Sequence, residues 1–376
     1  MPAISSELAQ YHPVIQRIYA SRGIESSEQL ARGAAQLLSF TRLKGISSAV
    51  TLLIDALQQQ QHIVIVGDFD ADGATSTATL LTGLKSLGFK HVEYLVPNRF
   101  EYGYGLSVEM AEIAVAQGAQ LIVTVDNGIS AIDGIALAKK MGVKVLVTDH
   151  HLPGNELPDA DAIVNPNQPG CDFPSKQLAG VGVAFYLLLA LRAELRIQGY
   201  FTETQPEPNL ADLLDLVALG TVADVVPLDT NNRILVHQGL QRIRSGKARP
   251  GIQALIDIAN RKAEKLTAQD FGFALAPRLN AAGRLDDMGL GISCLLAPDL
   301  PRARMYAAEL DSLNVERREI EQGMQQEAQA YLQRLSFAAE ELPDALCLYQ
   351  SDWHQGVIGI LAGRIKDQYH RPVLVF

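Results

Sequence analysis

Ile63-Val64-Ile65-Val66-Gly67-Asp68-Phe69-Asp70-Ala71-Asp72-Gly73 carries the strongest structural signal in the chain, because a short apolar run is followed at once by three carboxylates at alternating positions. The run 63–66 is β-branched throughout and is bounded by a polar residue and a glycine, which is typical of a buried strand in a parallel sheet. Residues 73–87 predict a helix. Ligands of open α/β sheets bind beyond the carboxyl ends of the strands, so the aspartates lie where a functional site is expected.

The three aspartates have two interpretations. If the stretch stays extended, Asp68, Asp70 and Asp72 share one face of the chain. Carboxylates held that close repel one another, and a divalent cation would offset the repulsion. The alternative is a polar strand-to-helix loop in which Asp72 caps the helix.

Composition and charge limit the class of protein. The 376 residues exceed the roughly 100–200 of one domain, which indicates at least two domains, and 48% hydrophobic residues are typical of a soluble globular protein. No apolar run approaches the roughly 20 residues that span a bilayer, so no membrane association is expected. Three widely spaced cysteines favour a reducing, cytoplasmic compartment over a disulfide framework or a thiolate zinc site. The net charge of −10 is unlike that of a generic nucleic-acid binder.

Strand and helix patterns alternate after the first strand. Further strands are predicted at 91–96, 121–125 and 143–147, with helices at 108–117 and 129–141. This alternation is typical of βαβ units and predicts an α/β fold with a parallel sheet. Two of these strands run into Asp126-Asn127-Gly128 and Thr148-Asp149-His150-His151.

Carboxylates and imidazoles from three strand ends would therefore meet at one edge of the sheet. The set comprises Asp70, Asp72, Asp126, Asp149, His150 and His151. These residue types suit Mn²⁺ or a similar divalent ion. One carboxylate, most naturally Asp126, would bridge two ions that clamp a phosphoryl group.

These motifs resemble those of the DHH phosphoesterase superfamily. Its first three motifs match Asp68-x-Asp70-x-Asp72-Gly73, Val125-Asp126-Asn127-Gly128 and Asp149-His150-His151. The segments 66–76, 96–100 and 178–185 resemble the RecJ family of single-strand-specific DNA exonucleases, and the similarity runs from about residue 46 to the end. The resemblance implies a metal-dependent exonuclease that degrades single-stranded DNA 5′→3′ to 5′-mononucleotides and acts in DNA repair and recombination.

The resemblance also implies roles for individual residues. Asp224 corresponds to the aspartate of a fourth motif, which is a metal ligand. The implied ligands of two Mn²⁺ or Mg²⁺ ions are Asp68, Asp70, Asp72, Asp126, His150 and Asp224, and the implied catalytic residues are Asp70, Asp72, Asp126, His150 and His151. Asp68, Asp149 and His151 are placed beside the ions or one layer behind them. Val66 stands where many superfamily members carry histidine, which leaves the first ion one ligand fewer.

Basic residues further along the chain are candidates for phosphate contact. The segment 276–284, flanked by Phe271 and Phe273, predicts a tight turn and a helix start that would hold phosphate. The alternative is a pair of solvated arginines, and His354 is equally compatible with a structural turn. The expected substrate contacts are Arg99, His151, Arg278, Asn280, Arg284 and His354.

Four segments are expected along the chain. They are an N-terminal helical extension (1–55), a DHH catalytic domain (56–298), a connecting helix (299–337) and the N-terminal part of a DHHA1 domain (338–376). The resemblance implies a fragment, because the later glycine-rich motif and the OB-type domain of the RecJ family are missing. Residues 345–349 predict a strand, and 353–362 predict a glycine-rich turn that leads into a helix.

Two other functions fit the same motifs. One is a DHH-family phosphodiesterase that acts on short oligoribonucleotides, cyclic dinucleotides or pyrophosphate, against which the long helix and the flanking segments count. The other is a non-catalytic protein that binds DNA ends, against which the intact aspartates count. The expected partners are single-stranded DNA, a single-strand-binding protein and a helicase.

Overall fold

A five-stranded parallel sheet lies at the centre of the structure, a computed structural model that describes residues 5–334 and 343–376. The strand order is β2-β1-β3-β4-β5. The strands are β1 (Ile63–Val66), β2 (Val92–Leu95), β3 (Leu121–Val125), β4 (Lys144–Thr148) and β5 (Ala162–Val164). The predicted α/β class is confirmed, and β5 is a strand that the sequence pattern did not predict.

The α-helices precede, separate and follow these strands. In chain order they are α1 (Pro13–Ser21), α2 (Ile46–Gln58), α3 (Ala71–Ser86), α4 (Val108–Ala116), α5 (Ile132–Lys140), α6 (Gly180–Ile197), α7 (Leu214–Ala223), α8 (Thr230–Arg244), α9 (Pro250–Ile258), α10 (Ala268–Asp270), α11 (Ala276–Leu285), α12 (Gly289–Leu295), α13 (Leu300–Arg334) and α14 (Ile358–Tyr369). A π-helical turn, Phe271–Leu275, joins α10 to α11. The helices predicted in the sheet region are confirmed within a few residues.

The sheet is buried on both faces, which explains the β-branched run of β1. Ile63 and Ile65 face a core shared with α2, α3 and α6. Val64 and Val66 face a smaller core shared with α4 and α5. Helices cover both faces of the sheet, so a ligand can reach the sheet at its carboxyl edge, where the connecting loops lie.

Helix α3 joins the sheet to the helical half of the molecule. Leu80 and Leu84 pack in the sheet-side core, whereas Ala74 and Ala78 pack in a second core. That second core gathers residues of α7, α8, α9, α11, α12 and α13. The small alanines let α7 approach α3 closely, which fixes the C-terminal end of α7 relative to the loop after β1.

The C-terminal residues form a separate small layer. β6 (Leu346–Leu348) and β7 (Val373–Val375) pair in parallel, and α14 packs with them against the last third of α13. The predicted long helix, the strand near 345–349 and the helix after the glycine-rich turn are confirmed. Residues 1–4 and 335–342 of the expected segments lie outside the described residues.

The N-terminal part is less helical than its pattern predicts. Besides α1, residues 5–45 contain short 3₁₀ turns and irregular chain. The expected boundary between residues 55 and 56 falls inside α2, and Leu53 and Leu57 of this helix belong to the sheet-side core. Within 5–334 and 343–376, no single helix is long and apolar enough to cross a membrane, although the bent pair 34–42 and 46–58 reaches those criteria jointly.

Candidate metal centre and its basic margin

Acidic and histidine side chains from four places in the chain converge at the carboxyl edge of the sheet. They are Asp68, Asp70 and Asp72 after β1, Asp126 after β3, Asp149, His150 and His151 after β4, and Asp224 at the end of α7. Parallel strands end at the same edge, so three of these groups meet as the sequence predicts. Asp224 joins them because α7 packs on α3.

The ligand atoms of these side chains form overlapping sets. Within each of three sets, one ligand atom per residue lies within 4.8 Å of the others. The sets are Asp68 with Asp70 and Asp126, Asp72 with His150 and Asp224, and Asp126 with His150 and His151. Asp126 belongs to the set with Asp68 and Asp70, and its Oδ1 also lies 3.1 Å from His150 Nε2, whose residue belongs to the set with Asp72 and Asp224. This position suits a carboxylate shared between two neighbouring cations.

The loop after β1 does not stay extended. Asp70 is the N-cap of α3, and its carboxylate accepts a hydrogen bond from the Gly73 amide at 2.9 Å. Asp72 lies in the first helical turn, where its carboxylate accepts from the amides of Gly180 (2.7 Å) and Val181 (3.0 Å) at the start of α6. Both expectations for this stretch, the shared extended face and the cap at Asp72, are therefore wrong. The helix begins two residues earlier than predicted because Asp70 satisfies its first free amides.

Asp126 occupies a strained position. Its φ angle is +63°, a left-handed conformation that is uncommon for residues other than glycine, and its side chain is almost fully buried. Gly180 makes room for it, since a Cβ atom there would lie 2.5 Å from Asp126 Oδ1. Strain of this kind persists where the surroundings enforce it, and it is concentrated at functional sites.

Asp149 supports the centre rather than facing it. One carboxylate oxygen accepts from the His150 amide (2.7 Å), the His151 amide (3.1 Å) and His151 Nδ1 (2.7 Å). The other oxygen accepts from the Ile129 amide at 2.9 Å. The hydrogen bond to Asp149 raises the pKa of His151 to about 9, which favours the protonated form of this half-exposed imidazole.

The buried carboxylates have unfavourable surroundings in the absence of a cation. Burial raises the pKa of Asp68 to about 7 and the pKa values of Asp72 and Asp126 well above their usual range, and neighbouring carboxylates raise all three further. Burial also lowers the pKa of His150, which favours the neutral imidazole that binds metals.

Three buried polar atoms of the centre have no hydrogen-bond partner among the described residues: Asp126 Oδ1, His150 Nε2 and Asp224 Oδ2. His150 Nε2 lies 3.1 Å from the Asp126 oxygen and 3.5 Å from the Asp224 oxygen. Buried polar atoms are nearly always satisfied, so a group is expected between them. An oxygen-rich set with one imidazole fits a divalent cation such as Mn²⁺.

Adding Mn²⁺ is expected to raise the melting temperature of the metal-free protein. A ligand that binds only the folded state, at about 100 times its dissociation constant, adds about 2.7 kcal/mol to the free energy of unfolding. Scanning fluorimetry with Mn²⁺ and with EDTA measures the shift. Asp224→Asn should reduce it, whereas Asp159→Asn should not, because the exposed Asp159 carboxylate pairs with Lys139 away from the centre. Equal shifts in both variants would contradict the assignment.

Two arginines, Arg99 and Arg284, lie at the margin of the centre, and neither forms an ion pair with a carboxylate among the described residues. The Arg99 guanidinium lies over the Phe69 ring, 3.9 Å from its centroid, and its Nε is buried and unpaired. Arg284 donates to the Gly356 carbonyl at 3.0 Å. Burial lowers the pKa values of both arginines, and the charge of Asp70 partly compensates at each. Both guanidinium groups therefore favour an anionic ligand.

Other expected substrate contacts have partners within the protein. Arg278 pairs with Asp311 of α13 at 2.8 Å, and Asn280 accepts from the Ala71 amide at 2.7 Å. His354 Nδ1 accepts from the Gly356 amide at 3.1 Å, and its ring lies edge-on to Phe100. The predicted turn and helix start at 276–284 is wrong, because the π-helical turn continues directly into α11 and leaves no free helix start there.

Two supporting residues were not predicted from the sequence. Asn127 donates to the carbonyls of Val66 (3.0 Å) and Val125 (2.9 Å), which ties the ends of β1 and β3 together. Gly180 brings the start of α6 to Asp72. Asn127 could have been identified from the sequence, because it is a polar residue directly after Asp126. Gly180 could not, because it lies 108 positions from Asp72. Val66, at the position of the missing histidine, is buried in the core under α4 and α5.

Comparisons with known proteins identify relatives along nearly the whole chain. The profile of the DHH family, N-terminal domain, matches residues 62–221. The single-stranded-DNA-specific exonuclease RecJ of Salmonella typhimurium is 59% identical over 369 residues, which cover 98% of this chain and 64% of that relative. The chain thus spans less than two thirds of the length of this relative.

Solved structures agree with the sequence matches. A crystal structure of exonuclease RecJ bound to manganese is 36% identical, with a TM-score of 0.78, and the match covers 90% of this chain and 81% of that chain. RecJ from Thermus thermophilus in complex with Mn²⁺ is 33% identical, with a TM-score of 0.81, and the match covers 98% of this chain and 51% of that chain. The fold and the arrangement of its elements are therefore shared with these proteins.

Proposed function

Because this chain belongs to the RecJ family of DHH proteins, we propose that it hydrolyses single-stranded DNA from the 5′ end and releases 5′-mononucleotides, with two Mn²⁺ or Mg²⁺ ions as cofactors. The observation that carries the proposal is the cluster of buried ligand atoms on Asp126, His150 and Asp224 that have no hydrogen-bond partner among the described residues. Two arginines without carboxylate partners among those residues flank the cluster. Clustered acids suit cations, and free guanidinium groups suit phosphate oxygens. Together they fit a phosphodiester substrate.

The proposed ion ligands are the ones that the motifs imply: Asp68, Asp70, Asp72, Asp126, His150 and Asp224. Divalent ions bound there would offset the carboxylate charge, polarise the phosphoryl group and lower the pKa of water. The supports of these side chains are rigid, because Asp72 is fixed by α6 and His150 by the loop that Asp149 organises. Rigid ligands need little rearrangement before reaction, which favours catalysis.

The chain's own cations would act on the substrate. Arg99 and Arg284 would bind nonbridging phosphate oxygens, since their guanidinium groups are oriented by Phe69 and by the Gly356 carbonyl. His151 uses Nδ1 to bind Asp149, which leaves its Nε2–H as a donor for the substrate or for the departing oxygen. The Asp149 carboxylate favours the protonated imidazole that this role requires.

Selectivity for single strands would come from the cleft between the sheet-bearing part and the C-terminal layer. Two contacts bridge these parts beside the centre, Phe100 with His354 and Arg284 with Gly356. A cleft closed this tightly would admit one strand and exclude a duplex. Bases of a single strand would stack on exposed aromatic rings, which is independent of sequence.

The remaining assignments are also proposals. We retain the four segments 1–55, 56–298, 299–337 and 338–376 as extension, catalytic domain, connecting helix and start of a DHHA1 domain. A role in repair and recombination, a cytoplasmic location, and a single-strand-binding protein and a helicase as partners follow from membership of the family. Co-purification of tagged chain with each partner, with and without single-stranded DNA, would test the last of these.

Degradation of end-labelled DNA tests the function directly. With Mn²⁺ or Mg²⁺, 5′-labelled single-stranded DNA should release labelled mononucleotide at once, whereas 3′-labelled DNA should shorten gradually. EDTA should abolish both reactions, and duplex DNA and RNA should survive. Intact DNA together with cleavage of short RNA or a cyclic dinucleotide would leave the metal centre in place but refute the proposed substrate.

A further inference from the structure

A second basic site lies away from the metal centre, where α13 meets α14. It is a groove of about 360 Å³ lined by Arg317, Arg318, Glu321, Gln322, Gln325 and Arg364. Three arginines face a single carboxylate there, although the chain as a whole has a net charge of −10. A local excess of positive charge in an acidic protein indicates an anionic ligand.

Glu321 organises the groove. It is 7% exposed and pairs with Arg317 of its own helix and with Arg364 of α14, the latter at 3.1 Å. Arg317 also donates to the Asn314 side chain at 2.9 Å. One buried carboxylate thus orients two guanidinium groups but neutralises only one charge, and it also attaches α14 to α13.

Arg318 adds a charge that nothing in the described part of the chain neutralises. Its side chain is exposed, and it has no ion-pair or hydrogen-bond partner among residues 5–334 and 343–376. Together with the amides of Gln322 and Gln325, it supplies donors along the open side of the groove. Guanidinium and amide N–H groups are typical donors to phosphate oxygens in proteins that bind nucleic acids.

A series of arginines connects this groove to the metal centre. Arg284 lies between the two sites, because it donates to the Gly356 carbonyl at 3.0 Å, just before α14, and Arg364 of α14 lines the groove. Arg317 of α13 and Arg364 of α14 both pair with Glu321, which brings their guanidinium groups together in the groove. Arginine side chains are therefore present at the margin of the centre, at the contact with Gly356 and in the groove beside α14.

We propose that the groove between α13 and α14 is a phosphate subsite for the DNA strand whose 5′ end lies at the metal centre, so that the strand passes Arg284 and continues along α13. This inference rests on the proposed function and adds the path of the uncleaved strand. The purely structural interpretation is that the ion pairs of Glu321 only attach α14 to α13. Arg318 takes no part in the ion pairs of Glu321. The two interpretations therefore differ in whether Arg318 affects the binding of single-stranded DNA.

The salt dependence of binding tests the proposal, measured by fluorescence anisotropy with a single strand of about 15 nucleotides. Binding is compared in the Asp126→Asn background, which suppresses hydrolysis. Arg318→Gln should reduce the slope of log K against log salt by about 0.7, which corresponds to one lost phosphate contact. Its loss of affinity should be larger for the long strand than for a trinucleotide, because only the long strand reaches the groove.

Arg302→Gln is the matched control. Arg302 lies on the same helix, is 68% exposed and is outside the groove, so its loss should change neither slope nor affinity. An unchanged slope in Arg318→Gln, or equal losses for both strand lengths, would overturn the subsite. Arg364→Gln provides a second test. A lower melting temperature with an unchanged slope of log K against log salt would favour the structural interpretation.

The same experiments distinguish failure of the subsite from failure of the proposed function. If the unmodified chain releases 5′-mononucleotides while Arg318→Gln keeps the full slope, the subsite alone is wrong. If the unmodified chain neither binds nor degrades single-stranded DNA, the proposed function is wrong and the subsite is wrong with it.

Discussion

Asp126→Asn is expected to reduce the rate of single-stranded DNA hydrolysis by about a thousandfold, equivalent to about 4 kcal/mol of transition-state stabilisation. Asp126 lies in the ligand set of Asp68 and Asp70 and within 3.1 Å of His150 in the set of Asp72 and Asp224, so its charge would serve both ions. Asparagine has nearly the same shape and tolerates the left-handed φ of +63°. The loss should therefore reflect the missing charge rather than a distorted backbone.

The same variant is expected to stabilise the metal-free protein. Asp126 is almost fully buried among carboxylates that repel one another, and no side chain of the described residues donates a hydrogen bond to its Oδ1. Removing one charge relieves the repulsion, so the melting temperature in EDTA should rise while the shift produced by Mn²⁺ falls. Stability gained at the expense of activity is common where charges are concentrated for function.

Rates on 5′-labelled DNA and melting curves with and without Mn²⁺ measure these effects. Asp159→Asn is the control, because its carboxylate is 92% exposed and pairs only with Lys139 among the described residues. It should keep both the rate and the Mn²⁺ shift. Undiminished hydrolysis by Asp126→Asn would show that Asp126 is not catalytic. An unchanged shift of the melting temperature with Mn²⁺ would show that Asp126 is not an ion ligand.

Asp149→Asn is expected to lower the free energy of unfolding by about 2–4 kcal/mol and the rate of hydrolysis by about 10–100-fold. The fully buried Asp149 carboxylate accepts hydrogen bonds from the amides of Ile129, His150 and His151 and from the His151 ring. An amide oxygen replaces only part of this set and carries no charge. His150 and His151 would lose their fixed orientation, and the pKa of His151 would fall toward its usual value.

Denaturant unfolding and an NMR titration of the His151 ring check the two parts of this expectation. Asp161→Asn is the matched control, because Asp161 also accepts a hydrogen bond from a strand amide, that of Val145 at 2.8 Å, but lies outside the ligand sets. It should cost less stability and leave the rate unchanged. A full rate in Asp149→Asn, with the His151 pKa still near 9, would show that Asp149 does not organise this loop.

Much of the fold follows from local patterns in the chain. The strand 63–66 and the strand 121–125 have the predicted limits, because continuous β-branched runs between turn residues define a buried strand without further information. The long helix is also confirmed, from its charged pattern and flanking prolines. The convergence of Asp126 and His150 with the first aspartates follows from parallel topology alone.

Predictions that depended on local conformation at the site were less successful. Asp70, not Asp72, caps α3, and the segment around Arg278 continues a helix rather than starting one. At the start of α3 several polar residues can accept from the same backbone amides, and the packing of a distant element decides between them. Asn280, for example, binds the Ala71 amide from 209 positions away.

The amino-acid sequence by itself therefore determined the parallel sheet, the edge at which the acids meet and the family to which the chain belongs. Tertiary packing determined which carboxylates are left without partners and which are used as supports. Both oxygens of Asp149 accept hydrogen bonds from backbone amides, whereas oxygens of Asp126 and Asp224 remain free of hydrogen bonds from the described residues. The reason is physical: strands and helices arise from neighbours along the chain, but hydrogen-bond satisfaction in a buried site depends on atoms that folding brings together from distant positions.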